Sequence, residues 1–275
     1  MSAVYGAVAS VGIGVGDHLT RGAADRVGIR LTLASFFFMG IPVSAVGALV
    51  MDSQWLAADI FIGALTGIIA VTSLGFLYLG YASATAGVVA PPAAVIGVAL
   101  PVVVDLARGT VPTITVVAGM VLGMVSVLLI TVSPRRAGDV RRGFSFGLVA
   151  GIGYGCMFIM LDQLSAASGF WPVMAQRAVA FAVLAATSIG LRKPVFPTRA
   201  VFRTIVHGSI WGGIGAMFFV YGLQHGDLAP VTVTGSQYAA VTVVCGIVFR
   251  DERMRWWQGV GLLGAVSAVA LIVAG

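Results

Sequence analysis

The nonapeptide Gly222-Leu-Gln-His-Gly-Asp-Leu-Ala-Pro230 aligns with Gly80-Tyr-Ala-Ser-Ala-Thr-Ala-Gly-Val88 at an offset of 142 residues. The alignment continues without a gap through both of the apolar runs that follow. It pairs Arg250 with Arg108 and Gly261 with Gly119, and an offset of 141 near the start of each copy pairs Gly6 with Gly147 and Gly12 with Gly153. One unit of about 140 residues is therefore duplicated, and such a repeat outranks other sequence signals.

The composition indicates an integral membrane protein. Apolar residues make up 59% of the chain, charged residues make up 9%, and the mean hydropathy is +1.03. Many runs reach the ~20 apolar residues that a helix needs to cross a hydrocarbon core. The net charge of +6 does not indicate nucleic-acid binding, because the arginines lie between apolar runs rather than on one polar face. Cys156 and Cys245 lie inside apolar runs, so we expect them to be packing residues rather than members of a disulfide framework.

The hydropathy pattern predicts an all-α integral membrane protein with ten transmembrane helices. The predicted spans are residues 3–21, 30–51, 57–79, 86–107, 112–133, 143–164, 169–190, 202–224, 228–249 and 256–274. The first span has no basic segment before it and belongs to the repeat, so we expect a spanning helix rather than a cleaved signal peptide. We therefore predict a first five-helix repeat over residues 1–133, a basic inter-repeat loop over residues 134–142 and a second five-helix repeat over residues 143–275.

The positively charged residues predict the orientation in the membrane. Of the 16 Lys and Arg residues, all but Arg108 and Arg177 lie in odd-numbered loops, each loop being numbered by the helix before it. Positively charged loops stay in the cytoplasm, so we expect both termini outside. Because each unit has an odd number of helices, the second copy must lie upside down relative to the first. Inverted repeats of this kind are frequent among secondary transporters.

The segment Arg250-Asp-Glu-Arg-Met-Arg-Trp-Trp-Gln-Gly-Val-Gly261, together with the inverted repeat, resembles the EamA branch of the drug/metabolite transporter superfamily. Members often close the fourth helix of each unit with a Gly-Glu-Arg-Leu-like turn. A Gln follows six residues after the Glu and a Gly three residues later, a spacing that Glu252, Gln258 and Gly261 reproduce. Arg177 resembles the family's Arg-Phe element in the second helix of a unit. The resemblance covers essentially the whole chain.

The first copy departs from this family pattern. Thr110 stands at the Glu position and Val116 at the Gln position, so that only Gly119 is retained. Phe36 stands where the repeat aligns with Arg177. The proline that many members carry inside the ninth helix is absent, and Tyr238 lies near that place.

The resemblance implies a secondary transporter rather than an enzyme. It would export a small organic metabolite, such as an amino acid or an amphipathic compound, across the cell inner (cytoplasmic) membrane by alternating access. The alternatives are an intramembrane enzyme and a non-transporting membrane scaffold, and the fold alone does not choose a substrate. We expect no cofactor and no metal. The expected partners are a solute, the lipid bilayer and protons, in a monomer or a homodimer.

Polar residues inside membrane helices are costly and therefore mark candidate sites. Gln237 and Tyr238 lie on a polar face of the ninth predicted helix, Trp211 and Tyr221 lie on one face of the eighth, and the equivalent first-copy positions are almost all apolar. We therefore predict a substrate site near the membrane midplane with one polar and one apolar wall. Its candidate residues are Trp211, Tyr221, Gln237, Tyr238, Arg177 and Tyr154. The same stripes are also compatible with helix packing, since Tyr, Thr and Gln bond across helices.

Charged residues in predicted helices leave further alternatives open. The planar guanidinium of Arg177 suits a substrate carboxylate. It could equally bond backbone carbonyls or pair with Asp162 near the end of the neighbouring helix. Asp17 and His18 are candidates for proton coupling, because imidazole titrates near neutral pH. They could instead be interface anchors at the end of the first helix.

Overall fold

The computed structural model describes residues 2–84, 86–131, 138–250 and 255–275, which form eleven α-helices. These are α1 (Ser2–Val27), α2 (Ile29–Val50), α3 (Ala57–Ser83), α4 (Ala86–Ala107), α5 (Ile114–Thr131), α6 (Val140–Leu161), α7 (Trp171–Gly190), α8 (Arg199–Gln224), α9 (Leu228–Gly235), α10 (Tyr238–Arg250) and α11 (Trp256–Ala274). The predicted ten-helix fold is confirmed, with the ninth predicted helix divided into α9 and α10. The first helix runs six residues beyond its predicted end, to Val27.

Nine segments within the described residues are long and apolar enough to cross a membrane. They lie in α2 to α8, in α9 and α10 taken together, and in α11. The first helix, α1, is less apolar because it carries Asp17, His18 and Arg21. It packs most extensively on α8 and also contacts α9 and α10. The chain is therefore a multi-pass membrane protein.

The helices pack in pairs that follow the sequence repeat. In the first copy α1 packs on α8 and on α9 and α10, and the equivalent helix of the second copy, α6, packs on α3 and α4. Likewise α2 packs on α8, and its equivalent α7 packs on α3. Two further interfaces join equivalent helices, α2 with α7 and α5 with α11. This reciprocity is what two copies related by a two-fold axis produce.

Small residues set the distance between α1 and α8. A Cβ atom on Gly12 would lie 2.8 Å from the Cα of Gly215, and one on Gly16 would lie 2.8 Å from the carbonyl oxygen of Gly208. Both contacts are with backbone, so the two helices approach as closely as their main chains permit. Close approach through small residues is a main source of helix association in lipid.

The break between α9 and α10 occurs without a proline at that place. Thr234 donates its hydroxyl to the carbonyl of Pro230 at 2.8 Å, and Ser236 donates to the carbonyl of Val233 at 2.7 Å. Side chains that bond to carbonyls one turn earlier bend helices. The break fits against α1, because a Cβ on Gly6 would lie 2.6 Å from the carbonyl oxygen of Val231.

Part of the predicted inter-repeat loop, residues 134–142, lies outside the described residues, as does Glu252 of the family-like turn. Within the described part, Asp139 begins α6 and accepts a hydrogen bond from the backbone N–H of Arg142 at 3.0 Å. Its own N–H donates to the carbonyl of Ser83 at 2.9 Å. The domain boundaries stay a prediction.

Candidate functional site

An apolar cluster closes one face of the helix bundle, where α6 and α8 end and α9 begins. Leu161, Val220, Leu223 and Leu228 are each at most 3% exposed and pack together with Phe219. Further members come from α1, α2 and the start of α7, so the cluster joins helices of both repeats. We call this side of the molecule the closed face.

An ion pair lies at the same closed face. Arg108, just after α4, donates to the carboxylate of Asp162, just after α6. Asp162 therefore pairs with Arg108 and not with Arg177, which was one of the alternatives from the sequence. Burial raises the pKa of Asp162 above its ordinary value, and Arg108 opposes this shift. Because the pKa of Asp162 is raised, its carboxylate becomes protonated at a less acidic pH than that of an ordinary aspartate. The ion pair with Arg108 weakens at the same pH.

The bundle is open on the opposite face. There α1 packs on α10 and α3 packs on α6, but within the described residues neither pair packs extensively on the other. We call the space between them the vestibule. Asp17, Tyr81 and Tyr238, on three of the helices that bound this space, have exposed side chains.

Five polar side chains lie on the helices around this vestibule. They are Asp17, Tyr78, Tyr81, Tyr154 and Tyr238. The rings of Tyr78 and Tyr81 meet edge to face, with their centroids 5.8 Å apart. The five residues come from α1, α3, α6 and α10, and so from both repeats. We call them the tyrosine–aspartate cluster.

Glycines and one threonine position this cluster. Thr242 of α10 donates its hydroxyl to the carbonyl of Gly14 at 3.2 Å, and a Cβ on Gly14 would lie 2.7 Å from the carbonyl oxygen of Tyr238. The tight contact sets α1 against the first turn of α10, about one turn before Asp17. On the other wall, a Cβ on Gly97 of α4 would lie 3.5 Å from the Cβ of Tyr154, an ordinary contact distance. Tyr154 lies about 21 Å along α6 from its first residue, well inside the membrane.

Three of the predicted site residues lie on the helices around the vestibule, namely Tyr154, Tyr238 and Asp17. Trp211 is 49% exposed on α8, a helix that contributes nothing to the cluster. Tyr221 lies near the end of α8, where its ring stacks on His225 at 4.0 Å and meets Tyr5 at 4.9 Å.

Gln237 lies beside Tyr238 in the sequence but points elsewhere. It is 3% exposed, and its side-chain amide donates to the carbonyl of Val233 at 3.0 Å and to that of Gly123 at 3.4 Å. These bonds tie the helix break to α5. Its Oε1 is buried and has no hydrogen-bond partner among the described residues.

The structure separates the two coupling candidates, Asp17 and His18. Successive residues on a helix point about 100° apart. Asp17 is exposed in the vestibule, whereas His18 is 7% exposed and its ring lies 5.8 Å from that of Phe249. Proton coupling through these residues stays a prediction, with the two side chains in different surroundings.

Arg177 lies at the crossing of α2 and α7, outside the cluster. It is 6% exposed, and its guanidinium carbon lies 5.0 Å from the ring centroid of Phe36 and 5.5 Å from that of Phe37. Its Nε is buried without a hydrogen-bond partner among the described residues. In the repeat alignment Phe36 is the equivalent of Arg177, so two equivalent positions with different side chains contact each other.

Sequence reasoning missed Tyr78 and Tyr81, and with them the polar character of the α3 wall. At the offset of 142 their equivalents are Val220 and Leu223, which lie in the apolar cluster of the closed face. The prediction of the site started from polar residues of the second copy whose equivalents in the first copy are apolar. The reverse comparison, which seeks polar first-copy residues with apolar equivalents, would have found both tyrosines.

Two cavities in the described part of the molecule lie away from the cluster. One of about 270 Å³ lies near the closed face, between the end of α4 and the starts of α5 and α9. Its wall includes Asp105, whose carboxylate accepts a hydrogen bond from the N–H of Ala229 at 2.9 Å. The other, of about 180 Å³, lies beside His18 and Arg26. Neither is lined by a member of the cluster, and Asp105 already has a structural partner at the start of α9.

Comparison with known proteins agrees with this architecture. Residues 141–274 match the model of the EamA-like transporter family, which confirms the resemblance noted from the sequence. A solved protein described as "Crystal structure of protein" superposes with a TM-score of 0.80 at 15% identity, over 99% of this chain and 96% of that one. An identity this low shows a shared fold alone. No curated protein matches the chain. The chain is therefore a multi-pass membrane protein whose residues 141–274 match the EamA-like transporter family, part of the drug/metabolite transporter superfamily.

Proposed function

We propose that this chain is a secondary transporter that exports a small organic metabolite across the cytoplasmic membrane by alternating access. The observation that carries the proposal is the tyrosine–aspartate cluster, which draws on both repeats and lies in a vestibule open on one face only. A transporter needs one site that either side of the membrane can reach in turn, and an interface between inverted repeats can supply it.

The charge distribution supports export. The vestibule opens on the face where α1 ends and α8 begins, which carries the basic loops. By the positive-inside rule this face is cytoplasmic, so a solute would bind from the cytoplasm. Release would require the apolar cluster of the closed face to separate and the vestibule to close. The Arg108–Asp162 pair joins the first repeat to the second at that face, and its loss would favour the release state.

Orientation is tested by labelling single cysteines in intact cells, in a Cys156→Ser, Cys245→Ser background. Gln54 and Lys193 are both exposed and lie in loops on opposite faces. We expect a membrane-impermeant maleimide to label Gln54→Cys in intact cells and Lys193→Cys only after permeabilisation. The reverse pattern would contradict the orientation and leave the fold intact.

Transport itself is tested with purified protein in liposomes. We expect flux of at least one solute from a panel of amino acids, aromatic metabolites and amines, well above that of empty liposomes and increased by an imposed proton gradient. Tyr154→Ala should reduce this flux strongly, because Tyr154 is the residue that α6 contributes to the cluster and lies well inside the membrane. Trp55→Ala is the control, since Trp55 is 59% exposed in the loop between α2 and α3. Equal flux in both variants, or no flux in the wild type, would count against the proposal.

A further inference from the structure

The helices around the vestibule form two groups that meet at α9. On one side α1 packs with α8, α9 and α10, and on the other side α6 packs with α3 and α4. We call these the first and the second helix group. Among the described residues, the most extensive helix contact between the two groups is that of α9 with α4, followed by that of α9 with α6. Opening of the closed face therefore has to change how α9 meets α4.

A carboxylate of the second helix group caps α9. Asp105, near the end of α4, is 5% exposed and accepts a hydrogen bond at 2.9 Å from the backbone N–H of Ala229, in the first turn of α9. Its other oxygen accepts from the hydroxyl of Thr110 at 3.3 Å. Asp227, just before α9, makes no capping bond with its side chain, and Pro230 has no N–H. The other repeat thus supplies the cap, at a helix end where a carboxylate is favourable.

A second polar contact crosses between the groups at the same face. Gln224, the last residue of α8, donates its side-chain amide to the carbonyl oxygens of Ser165 at 3.1 Å and Gly169 at 3.2 Å. Both carbonyls lie in the connection that follows α6. This contact joins the end of α8 to the second helix group. We call the bonds made by Asp105 to α9 and by Gln224 to this connection the two crossing contacts.

The sequence repeat provides neither crossing contact on the open face. At the offset of 142 residues, the equivalent of Asp105 is Ile247 and the equivalent of Gln224 is Ala82. Because the copies are inverted, these equivalents lie towards the opposite face, near the ends of α10 and α3. Isoleucine and alanine side chains form no hydrogen bonds. Closing the vestibule would therefore bring equivalent helices together without the polar contacts that now hold the closed face.

We propose that Asp105 and Gln224 hold the closed face together and so make the state with the open vestibule the more stable one in the absence of solute. This inference rests on the proposed alternating access and names the residues that set the balance between its two states. A solute that drives the change to the release state has to bind that state more tightly, by enough to offset the loss of both crossing contacts.

The test measures how often the closed face opens in the purified full-length chain in detergent. Val220 is 3% exposed in the apolar cluster of that face, so we expect Val220→Cys, in a Cys156→Ser, Cys245→Ser background, to react with a maleimide only when the cluster separates. If reclosing is faster than labelling, the rate is proportional to the open fraction. We expect Asp105→Asn to raise this rate about tenfold, because it removes a charged hydrogen bond, and Gln224→Ala to raise it about three- to tenfold.

Asp59→Asn is the matched control. The carboxylate of Asp59, in the first turn of α3, is 7% exposed and accepts a hydrogen bond from the backbone N–H of Ser165 at 3.0 Å. Both partners belong to the second helix group, so their bond does not cross between the groups. Asp59→Asn should lower the melting temperature, as Asp105→Asn does, but should leave the labelling rate of Val220→Cys within about twofold of the wild type.

A second reporter separates opening of the closed face from general loosening of the fold. Ser126 is 1% exposed and packs between α5 and α11, and Ser126→Cys nearly keeps its size. We expect Asp105→Asn and Gln224→Ala to leave labelling at this position unchanged. If both reporters react faster to the same extent, or if Asp59→Asn acts like Asp105→Asn, these residues only stabilise the fold and the inference is wrong. Gln224→Ala supports the same comparison if Asp105→Asn does not fold.

Labelling and transport outcomes separate the inference from the function. If labelling of Val220→Cys rises as expected but no solute crosses the liposome membrane, the role of the crossing contacts is confirmed and the transport proposal fails. If the wild type carries a solute but neither Asp105→Asn nor Gln224→Ala changes the labelling rate, the inference is wrong and the transporter proposal stands.

Discussion

Replacement of Gly12 by valine is expected to lower strongly both the yield and the melting temperature of the folded membrane protein. A Cβ at this position would lie 2.8 Å from the Cα of Gly215 and 2.9 Å from the carbonyl oxygen of Trp211. These atoms belong to the backbone of α8 and cannot rotate aside as a side chain would. The helices would have to separate, and the α1–α8 contact is the most extensive helix pairing in the molecule.

The size of the destabilisation depends on whether the new side chain meets backbone atoms or side-chain atoms. Extra methylenes in a packed interior usually cost about 1–3 kcal/mol when neighbouring side chains can adjust. Valine adds branched methyl groups against two backbone segments, so we expect the top of that range or more. Gly12→Ala adds the Cβ alone and should show a smaller loss of the same kind. Size-exclusion profiles and thermal melting of the detergent-purified variants measure both effects.

Gly75 provides the matched control on another membrane helix. It lies within α3, and a Cβ there would meet no atom within 4 Å. Gly75→Ala and Gly75→Val should therefore melt close to the wild type, with any change a slight gain from the better helix propensity of the new residue. If Gly12→Val and Gly75→Val melt alike, close packing at Gly12 does not stabilise the fold.

The repeat and the hydropathy pattern were sufficient to predict the helices, because each apolar run must cross the same thickness of lipid. The break at Ser236 and Gln237 was missed because its cause is local bonding of Thr234 and Ser236 to the helix backbone. Thr and Ser side chains would also be compatible with a continuous helix, so the presence of Thr234 and Ser236 alone does not predict a break. Gly235, directly before Ser236 and Gln237, is the one feature of the sequence that could have suggested the break.

The site was predicted less completely than the fold. Tyr154, Tyr238 and Asp17 were identified because polar groups are rare in membrane helices, but rarity does not say which of them face one another. Tyr221 and Gln237 were identified for the same reason. Tyr221 packs near the closed face, and Gln237 packs against α5. The choice of open and closed face could not be predicted at all, because under the proposed alternating access one sequence would serve both states.

The crossing of α2 and α7 shows how the two copies have diverged in sequence while still packing together. Equivalent positions meet there, and one carries a phenylalanine where the other carries Arg177. An arginine near the centre of a membrane helix costs roughly 2.5–3.5 kcal/mol on insertion scales. A desolvated contact between a cation and one ring contributes about 2 kcal/mol, and Arg177 has two rings within reach. The terms nearly cancel, so we expect Arg177→Met to change the free energy of unfolding by no more than about 1 kcal/mol.

Phe37→Ala should then destabilise the protein strongly, and the loss should depend on Arg177. Phe37 is 5% exposed, and truncating a buried phenylalanine typically costs about 3–5 kcal/mol through lost burial and the cavity left behind. In the wild type the same change also removes one of the two rings over the guanidinium, which should add about 1–2 kcal/mol. Chemical unfolding of the wild type, the two single variants and the Phe37→Ala, Arg177→Met double variant forms a closed cycle. A coupling of about 1–2 kcal/mol would show that the rings stabilise the buried cation, whereas additive losses would mean that Phe37 only fills space.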